Sequence, residues 1–426
     1  MLTLGFRLLL VILGIGVNIL TARLLGAEGR GLFATATLVG ALGITFFGGI
    51  AQSVSVTVAK RRDLSSIALS QSFILGLVFS IISFAVLSIW FFLFSRQDYL
   101  IYAALVLLPS LLFTYISGYF LGTGKINQYN TLNFFQVFFT FIFLGINLLL
   151  FRWGLKGALI GWISAYVVSC VIAFRWVRKE VQPFCLTPEP GILRQEASFG
   201  FKIGGTNLVS LLNYRLNIFL IGSYLGMGEV GIYSVAATLA ESLWFFSSSL
   251  SLASFSRYGA VGAGEAAGLT AKGMRHLVLI IGLSGIFLFV FSGWIIYFIF
   301  GEAYLSAVKV LRFLLPGVAV YSLASIFSNY FTVQKGRPEI SFYTCVFSTA
   351  LGASLNSLLI LTFGLEGAAI GTSITYFITM GIALTYLAKE TSIPLKEFLF
   401  IKRKDLGDYK ALCGEFLKYR GKVSVL

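Results

Sequence analysis

Apolar runs of about twenty residues, broken by short polar punctuation, recur from Leu2 to near Lys389. A helix rises about 1.5 Å per residue, so ~20 apolar residues match the hydrocarbon core of a bilayer. Windows of that length predict twelve helical spans, near 2–23, 31–58, 65–94, 99–121, 131–151, 157–177, 200–225, 231–256, 276–300, 305–332, 339–363 and 366–388. Most connections are a few residues long. The longer ones are Arg178–Ser198, Arg257–Arg275 and the tail after Lys389. The first run has no small-residue cleavage site before the next span, so it reads as a first transmembrane helix.

The turn after the first span is copied two hundred residues later. Leu25-Gly26-Ala27-Glu28-Gly29-Arg30-Gly31-Leu32-Phe33-Ala34-Thr35-Ala36 is answered by Leu225-Gly226-Met227-Gly228-Glu229-Val230-Gly231-Ile232-Tyr233-Ser234-Val235-Ala236. Glycines at fixed offsets suit a turn that needs positive φ or close backbone approach. The copying continues down the chain. Leu107-Leu108-Pro109 returns as Leu314-Leu315-Pro316, and Tyr119-Phe120 as Tyr330-Phe331. Gly154-Leu155-Lys156-Gly157-Ala158-Leu159-Ile160-Gly161 returns as Gly364-Leu365-Glu366-Gly367-Ala368-Ala369-Ile370-Gly371.

The expected architecture is therefore an all-α integral membrane protein: two pseudo-symmetric six-helix lobes around a central cavity, related by an axis along the membrane normal. The expected divisions are an N-terminal lobe over 1–181, a cytoplasmic linker over 182–198 with Pro183, Pro188 and Pro190, a C-terminal lobe over 199–388, and a basic tail over 389–426. Pro109 and Pro316 fall inside spans, where proline removes a backbone hydrogen bond. They are candidates for equivalent hinges or for plain packing bends.

Composition excludes much else. The chain is 58% hydrophobic and 12% charged, with mean hydropathy +0.90. A soluble chain of 426 residues has too little interior for that much apolar surface. The net charge of +15 would point to nucleic acid in a soluble protein. Here it reads as basic loops and tail, and no nucleic-acid partner is expected. Twenty-three Lys and Arg fall on the side after even-numbered spans and seven on the other, which places both termini in the cytoplasm. The tail combines Lys402-Arg403-Lys404 with Leu406, Tyr409, Leu412, Phe416 and Leu417 at near-helical spacing, compatible with a surface helix on anionic lipid or with a frayed basic tail. Four scattered cysteines and one histidine, His276, give neither a disulfide framework nor a metal site. There is no phosphate-binding loop and no paired carboxylate set for glycosyl transfer, so no enzyme and no cofactor are expected.

Charges inside spans are costly and mark function by default. Arg7, Arg215 and Glu241 are such charges, with Asn18, Asn213 and Asn217 as polar companions. Arg215 offers a planar fork of donors matched to phosphate oxygens. It could equally pair with Glu241 on the neighbouring helix, and Arg7 could snorkel to the cytoplasmic surface. No acidic residue falls inside the first six spans, which argues against a cation-coupled exporter.

The Ala22-Arg23-Leu24-Leu25-Gly26-Ala27-Glu28-Gly29-Arg30-Gly31 hairpin resembles the A-R-x-L-G-P-E-x-x-G signature of bacterial polysaccharide and O-antigen flippases, within the multidrug/oligosaccharidyl-lipid/polysaccharide exporter superfamily. Tyr214-Arg215-Leu216-Asn217, followed by Val230 to Ala236, resembles the family's seventh and eighth helices. Ala27 stands where proline is usual, and Asn217 where many members carry aspartate, so no role of that carboxylate is carried over. The resemblance implies transport of an undecaprenyl-diphosphate-linked oligosaccharide across the cell inner membrane, by rocking of two lobes around a cationic cavity. Arg215 and Arg7 would meet the diphosphate or acidic sugars, with Asn213, Asn217 and Asn18 hydrogen-bonding beside them. Polysaccharide polymerase or assembly proteins are expected partners only through the family, together with the lipid-linked substrate and membrane lipids. The alternatives within the superfamily are a cation-coupled multidrug exporter and a lipid II flippase, the latter usually longer by two spans.

Overall fold

The computed structural model describes residues 2–90, 98–181, 189–258, 261–402 and 405, without the side chains of 2–8, 11, 252, 253 and 255–257. The ordered elements are helices throughout, with no strand among the described residues. They are α1 (Leu2–Phe47), α2 (Gly49–Lys60), α3 (Ser65–Trp90), α4 (Tyr99–Leu105), α5 (Leu107–Gly122), α6 (Ile126–Gly145), α7 (Gly154–Val177), α8 (Pro190–Tyr224), α9 (Met227–Glu241), α10 (Trp244–Tyr258), α11 (Ala263–Phe300), α12 (Ala307–Tyr321), α13 (Ala324–Asn329), α14 (Pro338–Thr391) and α15 (Lys396–Leu399).

Among the described residues, eight helical stretches are long and apolar enough to cross a membrane, or nine when α9 and α10 are taken as one bent span. Two stretches are double. α1 breaks at Gly26 (φ 69°, ψ −177°), and α14 breaks at Gly364 (φ 59°, ψ −137°). Counting both halves of each, and adding the more polar α8, gives the twelve spans expected from the sequence. The repeat survives as backbone geometry: Gly26 and Gly226 both take positive φ, and so do Gly154 and Gly364. Large apolar side chains lie fully outward on these helices, among them Leu150, Trp294 and Leu361 at 70% exposure or more. Lipid satisfies such faces and water does not.

Contacts group the chain into two compact units: Met1–Val235 with Ile296–Ala307, and Ala236–Ile295 with Val308–Leu426. This grouping follows packing, whereas the expected division at 182–198 follows the repeat. The difference arises because α8 lies along α1, α2 and α3. In the first unit, Ile50, Val54 and Val58 form one ridge of α2, set into a core with Leu69, Leu111, Tyr115, Ile116 and Phe120. Tyr115 Oη donates to the Phe47 carbonyl at 3.2 Å, where the chain passes from α1 to α2.

The second unit joins its helices through polar side chains that cap carbonyls in an apolar setting. Trp244 Nε1 donates to Val318 O at 3.2 Å, and Asn329 Nδ2 donates to Ser251 O at 2.8 Å. Pro316 sits inside α12, while Pro109 occupies the first turn of α5, just after the span breaks at Val106. Both prolines therefore accompany interrupted spans, since α12 gives way to α13 after Tyr321. The apolar tail positions from Leu406 onward lie outside the described residues, as do residues 182–188 of the linker and Arg7's side chain.

The segment leading into the tail is clamped. Arg275 on α11 donates from Nε to Asp405 Oδ2 at 2.7 Å, from Nη2 to Oδ1 at 3.1 Å, and from Nη1 to the Glu397 carbonyl at 2.7 Å. The Lys402 amide adds a bond to Asp405 Oδ2 at 3.0 Å, and Phe398 is fully buried. The bond from the Arg275 guanidinium is the largest influence holding the Asp405 carboxyl down at about 2. A depressed acid stabilises its folded contacts fully above the ordinary aspartate value of about 3.9, and that contribution is lost as pH falls through the depressed value. Trypsin cleavage after Lys402 should therefore stay slow and flat from pH 6 to 9. Asp405→Asn should expose the site at neutral pH, because removing one partner of a buried pair costs about 3–5 kcal/mol.

Candidate functional site

The turn at Gly26 folds the start of the second span back over the end of the first. Its φ of 69° with ψ near 180° is a conformation open essentially to glycine alone. Residues a few positions to either side are thereby brought face to face. Thr21 and Asn18 lie on the first arm, and Arg30 lies one turn into the second.

Arg30 Nη1 donates to Thr21 Oγ1 at 2.7 Å, and Nη2 donates to Asn18 Oδ1. Both partners are oriented by the backbone: Thr21 Oγ1 donates to Val17 O at 2.8 Å, and Asn18 Nδ2 donates to Gly14 O at 2.8 Å. Arg30 is 6% exposed, and its Nε has no hydrogen-bond partner among the described residues. No carboxylate meets it among the described residues, so a desolvated positive charge is held by neutral groups. Two further residues act on it electrostatically, Tyr304 and Arg215. Tyr304 is fixed by its hydroxyl donating to Ala22 O at 3.0 Å.

Arg215 is half-buried on α8, and its neighbour Asn217 is buried and donates from Nδ2 to Tyr233 Oη at 2.6 Å. Asn213 is half-buried one turn before Asn217 on the same helix. The structure thus brings Asn18 and Arg215 into one neighbourhood in the first compact unit. Arg7 lies near the start of α1, far along the helix from this turn, and Glu241 ends α9 in the second unit. Two guanidinium groups within electrostatic range, one of them with an unsatisfied Nε donor, form an anion-receptive cluster.

The two copies of the repeated turn pack directly on one another. A Cβ on Gly31 would lie 1.8 Å from the Met227 carbonyl oxygen, and one on Gly231 would lie 1.9 Å from the Ala27 carbonyl oxygen. Met227 and Ala27 are themselves matching positions in the two copies, so the contact is reciprocal. This crossing seats α9 and α8 against the hairpin that carries Arg30.

A cleft of about 520 Å³ opens beside the same turn, between Arg23, Gly26, Tyr297, Phe298 and Glu302. Its guanidinium is already engaged: Arg23 Nε donates to Ile299 O at 2.8 Å and Nη2 to Phe298 O, capping the end of α11. Anion chemistry therefore lies with Arg30 and Arg215 rather than in this cleft.

Arg30 falls between the expected spans 2–23 and 31–58 and so reads from the sequence as the charge of a short loop, whereas the structure buries it. Its spacing from Gly26 was the available signal: four residues after the glycine, it faces Thr21 and Asn18, five and eight residues before it. Glu196 was likewise assigned to the linker, yet it is fully buried on α8, with Thr57 Oγ1 donating to its Oε1 at 2.8 Å. No cluster of metal-ligating side chains occurs among the described residues.

Residues 2–255 match a family model described as polysaccharide biosynthesis protein. In fold the chain is similar to a structure described as the lipid II flippase MurJ in an inward closed conformation, with TM-score 0.76, 17% identity, and coverage of 93% of this chain and 89% of that one. It is also similar to an inward-facing multidrug resistance MATE family transporter of the MOP superfamily, with TM-score 0.72, 16% identity, and coverage of 91% and 96%. A MOP superfamily transporter from Pyrococcus furiosus matches with TM-score 0.61, 15% identity, and coverage of 92% and 94%. At these identities the likeness carries the fold, that of MOP superfamily transporters. No curated protein matches in sequence.

The glycine crossing generates a stability test. Gly31→Val or Gly231→Val should lower the Tm of the detergent-purified protein, overpacking costing about 1–3 kcal/mol. Gly228→Ala is the control: nothing lies within 4 Å of a Cβ there, and alanine favours helix by up to about 1 kcal/mol.

Proposed function

We infer the function from a premise that the match over residues 2–255 supplies: the chain belongs to the polysaccharide biosynthesis protein family. We propose that it is a flippase carrying an undecaprenyl-diphosphate-linked oligosaccharide from the cytoplasmic to the periplasmic leaflet of the inner membrane, for polysaccharide or O-antigen assembly. The observation that carries this reading is the Arg30 guanidinium, desolvated, unmatched by a carboxylate and electrostatically coupled to Arg215.

A diphosphate cannot cross hydrocarbon without its charge being neutralised. Guanidinium groups supply bidentate, charge-assisted hydrogen bonds to phosphate oxygens, and Arg30 Nε is a donor already desolvated and in need of an acceptor. Asn18 and Thr21 hold Arg30 in position, and Asn217, held by Tyr233, does the same for the α8 face that carries Arg215. The lipid tail needs no protein partner, since it can remain in the bilayer while the headgroup moves. Rocking of the two six-helix halves, with both termini cytoplasmic, fits the internal repeat, and Pro109 and Pro316 are the proposed flexing points. Arg7 and Asn213 are secondary contacts in this proposal. Glu241 is a contact or a counter-charge to Arg215.

The test is complementation of a bacterium lacking its glycan flippase, at matched expression. The wild-type chain should restore surface polysaccharide. Arg30→Ala and Arg215→Ala should each cut it at least tenfold, since hydrogen bonds to charged groups contribute about 1.5–3 kcal/mol. Equal restoration by all three would contradict the proposal. So would rescue of a lipid II flippase deficiency, or raised drug tolerance, in place of polysaccharide.

A further inference from the structure

Glu196 is a fully buried carboxyl with no cationic partner among the described residues. It lies on α8 one turn before the apolar stretch that begins at Gly200, and it faces α2. Thr57 Oγ1 donates to Oε1 at 2.8 Å, Ser53 supplies a second hydroxyl, and Oε2 has no partner among the described residues. Further along the same face, the helices close to backbone contact. A Cβ on Gly49 would lie 2.2 Å from Gly200 O, and one on Gly204 would lie 1.9 Å from Phe46 O. Glu196, Gly200 and Gly204 are thus successive turns of one α8 face pressed onto α2 and the end of α1. Phe46 stacks on Phe201, and Phe47 stacks on Phe79, beside the contact.

Among the described residues, no charged group contributes to the electrostatics of Glu196. Lys60, Arg61, Arg62 and Asp63 close α2 and the following turn, and Arg194 and Lys202 flank Glu196 on α8; all six are exposed. α3 contributes no charged residue, and α1 contributes none between Arg30 and its end. At the end of α7, Arg175, Arg178 and Lys179 are exposed, and Glu180 pairs with Lys125 at 2.6 Å. The electrostatics of the carboxyl are therefore set by burial, opposed by two hydroxyl hydrogen bonds, and burial pushes it above the ordinary glutamate value.

We propose that Glu196 is a proton-binding latch: its neutral carboxyl permits the glycine-tight α2–α8 contact, and loss of its proton to water releases that contact. A carboxylate left in place would be an unpaired charge in an interface too close for water to enter. The inference stands whichever lipid-linked cargo is moved.

The sign follows from linkage. An acid whose value is raised in the closed contact favours closure at low pH. Closure weakens as pH rises from the ordinary glutamate value of about 4.3 toward the raised one. One proton changes the closed-to-open ratio by up to about tenfold per pH unit.

The experiment uses the full chain in lipid nanodiscs, with native cysteines replaced and spin labels at Gln52→Cys on α2 and Ser198→Cys on α8, both exposed positions. Electron-electron distances are read from pH 5 to pH 9. The short-distance population should dominate at pH 5 and fall as pH rises. Glu196→Gln, a near-isostere that cannot ionise, should keep the short distance throughout. Thr57→Val removes a donor that favours the charged form, and should move the midpoint upward in pH. A pH-independent distance in the wild type would overturn the proposal, as would a wild-type response in Glu196→Gln. If Glu196→Gln does not fold, an absent or downward shift in Thr57→Val overturns it alone.

Discussion

Inside a membrane, every polar group must find its partner within the protein, because hydrocarbon supplies none. That constraint explains most of what is specific here. Arg30 is tolerable only because a tight glycine turn delivers a threonine hydroxyl and an asparagine carbonyl to it, each already oriented by the backbone of the preceding turn. The solution is incomplete, with one donor unmet and a second guanidinium nearby. A cation held this way favours an incoming anion over the empty state, which is what the proposed carriage of a lipid-linked diphosphate requires.

The same constraint shapes the glycines. Without a hydrophobic drive between helices in lipid, close van der Waals contact between backbones does the joining. At the crossing of the two repeated turns, Gly31 and Gly231 each receive the other copy's carbonyl. The contact between α2 and α8 uses the same device beside a buried carboxyl. One crossing seats the helices that carry the arginines. The other couples a titratable group to helix separation.

Much of this was legible in the sequence, because spans and turns are local. Twelve apolar lengths, the copied Leu-Gly turns and the copied Gly154 and Gly364 segments translate directly into helices and positive-φ breaks. Arg215 and the asparagines stood out as polar residues within apolar windows. What escaped notice depended on rotation about a helix axis near a break. Arg30 follows the Gly26 turn so closely that it reads as a loop charge, yet one helical turn swings it inward. Glu196 lies in a stretch whose prolines and charges read as linker, although Pro190 begins α8 and adds turns that pack on α2. Asp405 was hidden in a tail whose excess of lysines suggested only a solvated chain, whereas its fork to Arg275 is a long-range contact with no local signature.

The most direct test of the central claim is equilibrium binding of a polyprenyl-diphosphate oligosaccharide, read by native mass spectrometry on the purified chain. Wild type, Arg30→Ala, Arg215→Ala and the double substitution form a double-mutant cycle. If the two guanidiniums share one diphosphate, each single change should weaken binding at least tenfold, and the two losses should be non-additive. Unchanged affinity in the double substitution would contradict the account.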